Sequence, residues 1–379
     1  MNSNFKPLRI SSISDVHLGN KRNETKFILD NLDRHFSNDE HLSKVDMIII
    51  GGDFFDDLLT YPSVDSGLID VWISKFLNKC FKYDILVRIL EGTPSHDRQQ
   101  SVRFKIINSV HCEVSKTNVD LEYVKVLSIE HIEKFDIDIL YIPDEWNHDT
   151  ADTLIEVKDL LKSKNIEKVD FAFVHGCFDY QMGSVIKDNI KHNSQEYLSI
   201  VKGLIFVGHI HQNSQLDRIH SNGSFDRLAH GEEENKGFLY AIINPDYSYE
   251  MTFIENYTAR KFITIKCPYE DTELNLKRID KRVKGLLSES FIRIESKYNN
   301  PIINNLDVIK KRWPLFHWSV LPKDKDNDQE INVFSQDTIY SPIVIDKDTI
   351  TELVINRIDK LNVSADVMNR CLLHMRDLV

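Results

Sequence analysis

No run of apolar residues in this chain approaches the roughly 20 needed to cross a bilayer, so no membrane association is expected. The opening MNSNFKPLRISSISD lacks the long apolar stretch and cleavage site of a secretory signal. Five cysteines (Cys80, Cys112, Cys177, Cys267 and Cys371) are scattered, odd in number and never in a CxxC pair. They read as reduced, mostly structural thiols, which points to a cytoplasmic compartment. There is no internal repeat and no low-complexity tract. Positive charge is also short: 47 Lys and Arg against 59 Asp and Glu give a formal net charge of −12. Phosphate polyanions are normally held by Lys and Arg. Either the substrate is not a long polyanion, or bound cations and a basic partner supply the missing charge.

The 379 residues are 41% hydrophobic and 10% aromatic, enough for one large domain plus a smaller one with real cores. In the first two thirds, short apolar runs alternate with amphipathic stretches, the pattern of an α/β domain. Runs at 8–13, 47–50, 86–90, 137–142, 171–174 and 204–207 are rich in Ile, Val, Leu and Phe and read as buried strands. Between them, 64–81 reads as a helix with Val64, Leu68, Val71, Trp72 and Leu77 on or near one face.

Five of these runs are followed by residues that bind metals. They lead into Asp15-Val16-His17, Gly52-Asp53-Phe54-Phe55-Asp56, Gly92-Thr93-Pro94-Ser95-His96-Asp97, His175-Gly176 and Gly208-His209-Ile210-His211. Open α/β sheets place their sites at strand ends, so the five segments are expected to converge on one rim. Imidazole and carboxylate ligands suit divalent metals such as Mn, Fe and Zn. Asp15, His17, Asp53, His175, His209 and His211 are too many for one ion. Two ions roughly 3.5–4 Å apart that share a carboxylate would use them all. A histidine beside the metals, such as His96, could then protonate a leaving oxygen. Each motif alone is weak, since Asp and His are common at surfaces; the signal lies in the ordered set.

Taken together, these segments resemble the calcineurin-like metallophosphoesterases, whose pattern is DxH, GDxxD, GNHD or GNHE, H and GHxH. Within that superfamily, Asn222-Gly223-Ser224, Arg227, Glu232-Glu233 and Lys236-Gly237-Phe238 are similar to the PGS…R…EE…KGF segment of SbcD-type DNA nucleases. That group includes bacterial and phage members and the eukaryotic double-strand-break repair nuclease. The resemblance implies a four-layer α/β/β/α sandwich over 1–258, a small α+β capping domain over 259–335 and a C-terminal helical segment over 340–379. It implies two divalent ions, most often Mn2+. One would be held by Asp15, His17, Asp53 and His211, the other by Asp53, His175 and His209. His96 would be the catalytic proton donor, and Asp56 and Asp97 would orient ligands. The family's Asn ligand is missing, and Ser95 falls in its position.

The implied activity is that of a nuclease subunit, 3′→5′ exonuclease on duplex ends and endonuclease on single strands, in DNA repair, recombination or replication. Its partners would be DNA, an SbcC-type SMC-like coiled-coil ATPase gripped by the C-terminal helices, and a second copy of the chain through segments near 64–81 and 98–110. Lys21, Arg22, Arg98 and Arg103 are candidate phosphate contacts, with ordinary loop charges as the plainer alternative. The alternatives for the whole chain are a phosphodiesterase or phosphatase acting on a small substrate, and a scaffold subunit that no longer cuts.

Overall fold

The computed structural model of the chain describes residues 7–60, 62–144, 146–182 and 190–323. The helical segment expected at 340–379, Cys371 and the end of the capping region expected at 335 lie outside the described residues.

The first half of the chain lays down β1 (Leu8–Ile13), α1 (Thr25–Phe36), α2 (Asp39–Leu42), β2 (Met47–Gly51), α3 (Val64–Lys82), β3 (Leu86–Leu90), α4 (Val102–Ser115) and β4 (Leu121–Val124). There follow β5 (Ser128–Ile132), β6 (Ile137–Ile142), α5 (Thr150–Ser163), β7 (Phe171–His175), β8 (Cys177–Phe178), β9 (Lys191–His192), α6 (Ser194–Ile200) and β10 (Ile205–Gly208). Next come β11 (Ser214–Leu216), β12 (Ile219–Ser221), β13 (Gly237–Ile243) and β14 (Tyr249–Glu255). All six apolar runs are strands.

Two mixed sheets result, in the orders β14-β13-β1-β2-β3-β4 and β11-β12-β10-β7-β6-β5. In the first, β1 to β4 are parallel and β13 and β14 are added antiparallel on one side. In the second, β12, β10, β7 and β6 are parallel and the edges β11 and β5 antiparallel. The period of two along a strand explains the layering. On β2, Met47 and Ile49 join Tyr141, Phe173 and Phe206 in a core between the two sheets. Ile48 and Ile50 turn the other way, onto Leu32, Ile73 and Phe76 of α1 and α3. The outer face of the second sheet is covered by α5 and α6 through Val157, Leu161, Tyr197 and Leu198. The layers are helix, sheet, sheet, helix.

On α3 the expected face was partly misplaced. Trp72 and Leu77 are buried with Ile69, Ile73 and Phe76, but Val64 and Val71 are exposed. Hydrophobicity marks residues that can be buried, and here the stripe packed on the sheet is a neighbouring one.

Beyond Asn256 the chain forms β15 (Phe262–Lys266), α7 (Thr272–Val283), β16 (Phe291–Lys297), α8 (Pro301–Asn304), α9 (Leu306–Arg312) and β17 (His317–Lys323). The three strands make a parallel sheet in sequence order, with their own core of Ile265, Ile279, Ile292, Ile294 and Trp318. Asp271 caps α7 by accepting from the amides of Glu273 and Leu274. Among the described residues no helix is long and apolar enough to cross a membrane.

Candidate metal centre

The parallel strands deliver their C-terminal ends to one rim: Asp15 and His17 after β1, Asp53 after β2, Thr93 to Asp97 after β3, His175 at the end of β7, and His209 and His211 after β10. Asp15, His17, Asp53 and His209 all have positive φ, at 52°, 53°, 50° and 86°. Non-glycine residues rarely adopt this region, and each such residue costs of order 1–3 kcal/mol, which surrounding structure must hold in place. The backbone supplies that hold: the amides of Val16 and His17 both donate to the Asp53 carbonyl, and the Asp15 amide donates to Gly52.

Three groups of side chains come together: Asp15, His17 and His211; His17, Asp53 and His96; and Asp53, His175 and His209. Asp53 stands between the two sides. Its Oδ2 lies 3.8 Å from His17 Nε2, and its Oδ1 lies 3.4 Å from His175 Nε2. On the far side, His211 Nε2 lies 3.9 Å from Asp15 Oδ1, whose carboxylate also accepts from the His209 amide. The rings of His17 and His211 are 5.1 Å apart, and those of His175 and His209 5.3 Å.

The histidines are aimed from behind. His17 Nδ1 is 3.0 Å from Asp56 Oδ1, His211 Nδ1 is 3.1 Å from Glu232 Oε1, and His175 Nδ1 is 2.7 Å from the Gly51 carbonyl. An ionised carboxylate or a carbonyl can only accept, so each Nδ1 carries a hydrogen and each Nε2 is turned to the centre, where it can bind a proton or a metal ion. Metal-binding histidines are held in this way. His17 Nε2 and His175 Nε2 are buried and have no hydrogen-bond partner. Leaving such an atom unsatisfied costs about 1–3 kcal/mol, and a cation would relieve it.

The electrostatics agree. Burial alone would lower His17, but Asp56, Asp53 and Asp15 outweigh it and hold the imidazole up at about 9. His175 is likewise raised against its burial, chiefly by Asp53. Asp53, in spite of its burial, is held well below the ordinary carboxylate range by His175 and His17. The pocket favours positive charge, and its nitrogen and oxygen donors suit a pair of divalent ions.

Two turns have no room for a side chain. A Cβ on Gly52, at φ 93°, would sit 2.2 Å from His175 Nδ1, and one on Gly92 would sit 2.1 Å from the Asp53 amide nitrogen. Asp97 stitches these turns together, accepting from the amides of Asp53, Gly92 and Phe55. Burial pushes its carboxyl up to about 7, with Asp53 adding to the shift. Asp56 holds His17, as described. His96 is half-buried, its ring 4.9 Å from that of His17.

Ser95, expected at the centre, is not the residue of its turn that touches Asp53. Ser95 is exposed. Thr93 meets the cluster instead, its amide donating to Asp53 Oδ1 at 2.6 Å and its hydroxyl lying 3.1 Å from Asp53 Oδ2. The two extra residues of this turn, Pro94 and Ser95, loop outward between Thr93 and His96, whereas counting back from His96 puts Ser95 in the Asn position. Asp144 was not anticipated either; its Oδ2 lies 2.9 Å from the Thr93 hydroxyl and 3.5 Å from His209 Nδ1. Glu232 was visible only as part of the Glu232-Glu233 pair, with no role attached; it also pairs with the buried Lys236 at 2.9 Å.

Of the candidate phosphate contacts, Arg103 donates to Ser66 and pairs with Asp70 on α3, and Arg98 pairs with Asp57 while donating to the Ser95 carbonyl. Lys21 and Arg22 are exposed.

No protein-family model matches the chain, and no curated protein matches it. Fifty-three solved chains do. One is TT1561 of Thermus thermophilus, 11% identical with a TM-score of 0.37, covering 65% of this chain and 99% of that one. Another is GAP50, the anchor in the inner membrane complex of Plasmodium, also 11% identical with a TM-score of 0.38, covering 73% of this chain and 94% of that one. At that overlap the reading of the site rests on the geometry of this chain.

Proposed function

We propose that the chain is a two-metal phosphodiesterase of the calcineurin-like class and, within it, an SbcD-type DNA nuclease subunit. The observation that carries the first step is the position of Asp53, one carboxylate oxygen toward His17 and the other toward His175, with Asp15 and His211 on one side and His209 on the other. Two bound divalent ions, Mn2+ by the resemblance, would supply Lewis acidity to a phosphate and lower the pKa of a water. The chain's own part is to hold Nε2 of His17, His175 and His211 toward the centre and to keep Asp53 ionised between them. His96, its ring 4.9 Å from that of His17, would hand a proton to the leaving oxygen.

The nuclease assignment is supported by the segment from Asn222 to Phe238, in which Glu232 and Lys236 brace His211. The domain at 259–335 would then shape DNA access, and 340–379 would bind an SbcC-type ATPase. A second copy of the chain would pack on α3 and α4, where Val102, Ile106, Val110 and Val114 form an exposed stripe at four-residue spacing. A small-substrate phosphoesterase is the second reading, favoured by the net charge of −12 and by the ion pairs that already engage Arg98 and Arg103.

Manganese-dependent turnover on duplex DNA and on bis-p-nitrophenyl phosphate separates the readings. A nuclease degrades both, a small-substrate enzyme only the second, and a scaffold neither. Deleting 346–379 is expected to spare metal binding and abolish co-purification with the ATPase.

A further inference from the structure

Within the two-metal reading, on which this inference rests, we propose that Asp144 is a metal ligand of the Asp53–His175–His209 half of the site. Asp144 follows Pro143 at the end of β6, beside β7, so the topology that delivers His175 to the rim delivers this carboxylate as well. Its side chain is 11% exposed, and its Oδ2 faces the Thr93 hydroxyl and His209 Nδ1.

The Thr93 hydroxyl lies within hydrogen-bond reach of Asp53 Oδ2, at 3.1 Å, and of Asp144 Oδ2, at 2.9 Å. A hydroxyl has one hydrogen, so it serves only one of these acceptors at a time. The other carboxylate oxygen then faces like charge, with no nearer nitrogen than His209 Nδ1, 3.5 Å from Asp144 Oδ2, or His17 Nε2, 3.8 Å from Asp53 Oδ2. A cation between them removes the conflict. An independent sign points to the same place: His175 Nε2, wholly buried, has no hydrogen-bond partner there.

The donor count gives the chemistry. Without Asp144 this half has Asp53 and two histidines. Asp144, which touches this half through His209 and Thr93, would give it what the other has: two histidines, one carboxylate of its own and the shared Asp53, as with His17, His211 and Asp15. A neutral hydroxyl in place of an amide would leave a loose second ion. A second carboxylate makes it comparable to the first.

The test is a Mn2+ titration of the full chain, by calorimetry and by EPR of free Mn2+. The wild type is expected to bind two ions with dissociation constants within about tenfold of each other. Asp144→Ala is expected to weaken one ion by at least about tenfold, the scale on which ligand-shell changes act, and to leave the other unchanged. Asp144→Asn, which keeps an oxygen acceptor for Thr93 but loses the charge, should weaken the same ion. Thermal midpoints in EDTA, equal for all three proteins, show that the fold is intact. Two ions of unchanged affinity in both variants would overturn the assignment of Asp144 while leaving the two-metal reading standing. Fewer than two ions in the wild type would overturn the reading itself, and the assignment with it.

Discussion

The two halves of the centre are built by different means. Around Asp15, His17 and His211, each imidazole is backed by a carboxylate, Asp56 or Glu232. Around Asp53, His175 and His209, the one tightly held imidazole is backed by the Gly51 carbonyl, in a turn where Gly52 leaves no space for a Cβ. His209, with a third of its side chain exposed, has only contacts of 3.5 Å on Nδ1. A carboxylate behind an imidazole raises its basicity and can be removed by a single side-chain change. A backbone carbonyl cannot be removed in that way, but its position depends on the turn. As far as what backs the imidazoles goes, the first half is therefore sensitive to side-chain charge and the second to backbone shape.

The largest effect is expected where the difference vanishes. Asp53→Ala strips both halves of their shared oxygen, so Mn2+ binding should fall at both and cleavage of bis-p-nitrophenyl phosphate should disappear. His96→Ala belongs to neither half in the proposed scheme. Turnover should drop on the order of 10²–10⁴-fold while both ions remain bound in a titration. A loss of one ion instead would make His96 a ligand.

Gly52→Ala strikes the second half hardest, since the added Cβ meets the His175 ring. Overpacking and a strained φ together are expected to cost about 1–3 kcal/mol of stability, read as a lowered denaturant midpoint, with the ion at His175 weakened more than the one at His17. Glu232→Gln attacks the first half alone, lowering the affinity of that ion by about 10–100-fold with little change in unfolding. If each variant weakened both ions equally, the distinction between the halves would be lost. Ser95→Ala, at an exposed position, is expected to leave both ions and turnover unchanged in the same assays.

Much of this was legible in the chain. The apolar runs at 8–13, 47–50 and 171–174 became strands because a stretch buried on both faces has few other ways to satisfy its backbone. Asp15, His17, Asp53, His175, His209 and His211 were visible because each follows such a run, and parallel strands end on one rim. What stayed hidden depends on contacts distant in sequence. Asp144 follows a strand too, but as a single Asp before Glu and Trp it carries no spacing that separates it from a surface residue. Glu232 reaches His211 from 21 positions along the chain, beyond β11 and β12, and no local pattern announces which of three consecutive glutamates will do so. Ser95 lies exposed while Thr93 contacts Asp53, because Pro94 and Ser95 are on the outer part of the turn, which spacing from His96 does not reveal. The face of α3 was misread because Val64 and Val71 are as hydrophobic as the residues that pack.

A single carboxylate standing between two ions has a magnetic signature. EPR of the Mn2+-loaded chain is expected to show exchange-coupled manganese pairs, and the coupling should vanish in Asp53→Ala. A spectrum of isolated, uncoupled Mn2+ at full occupancy in the wild type would contradict the account.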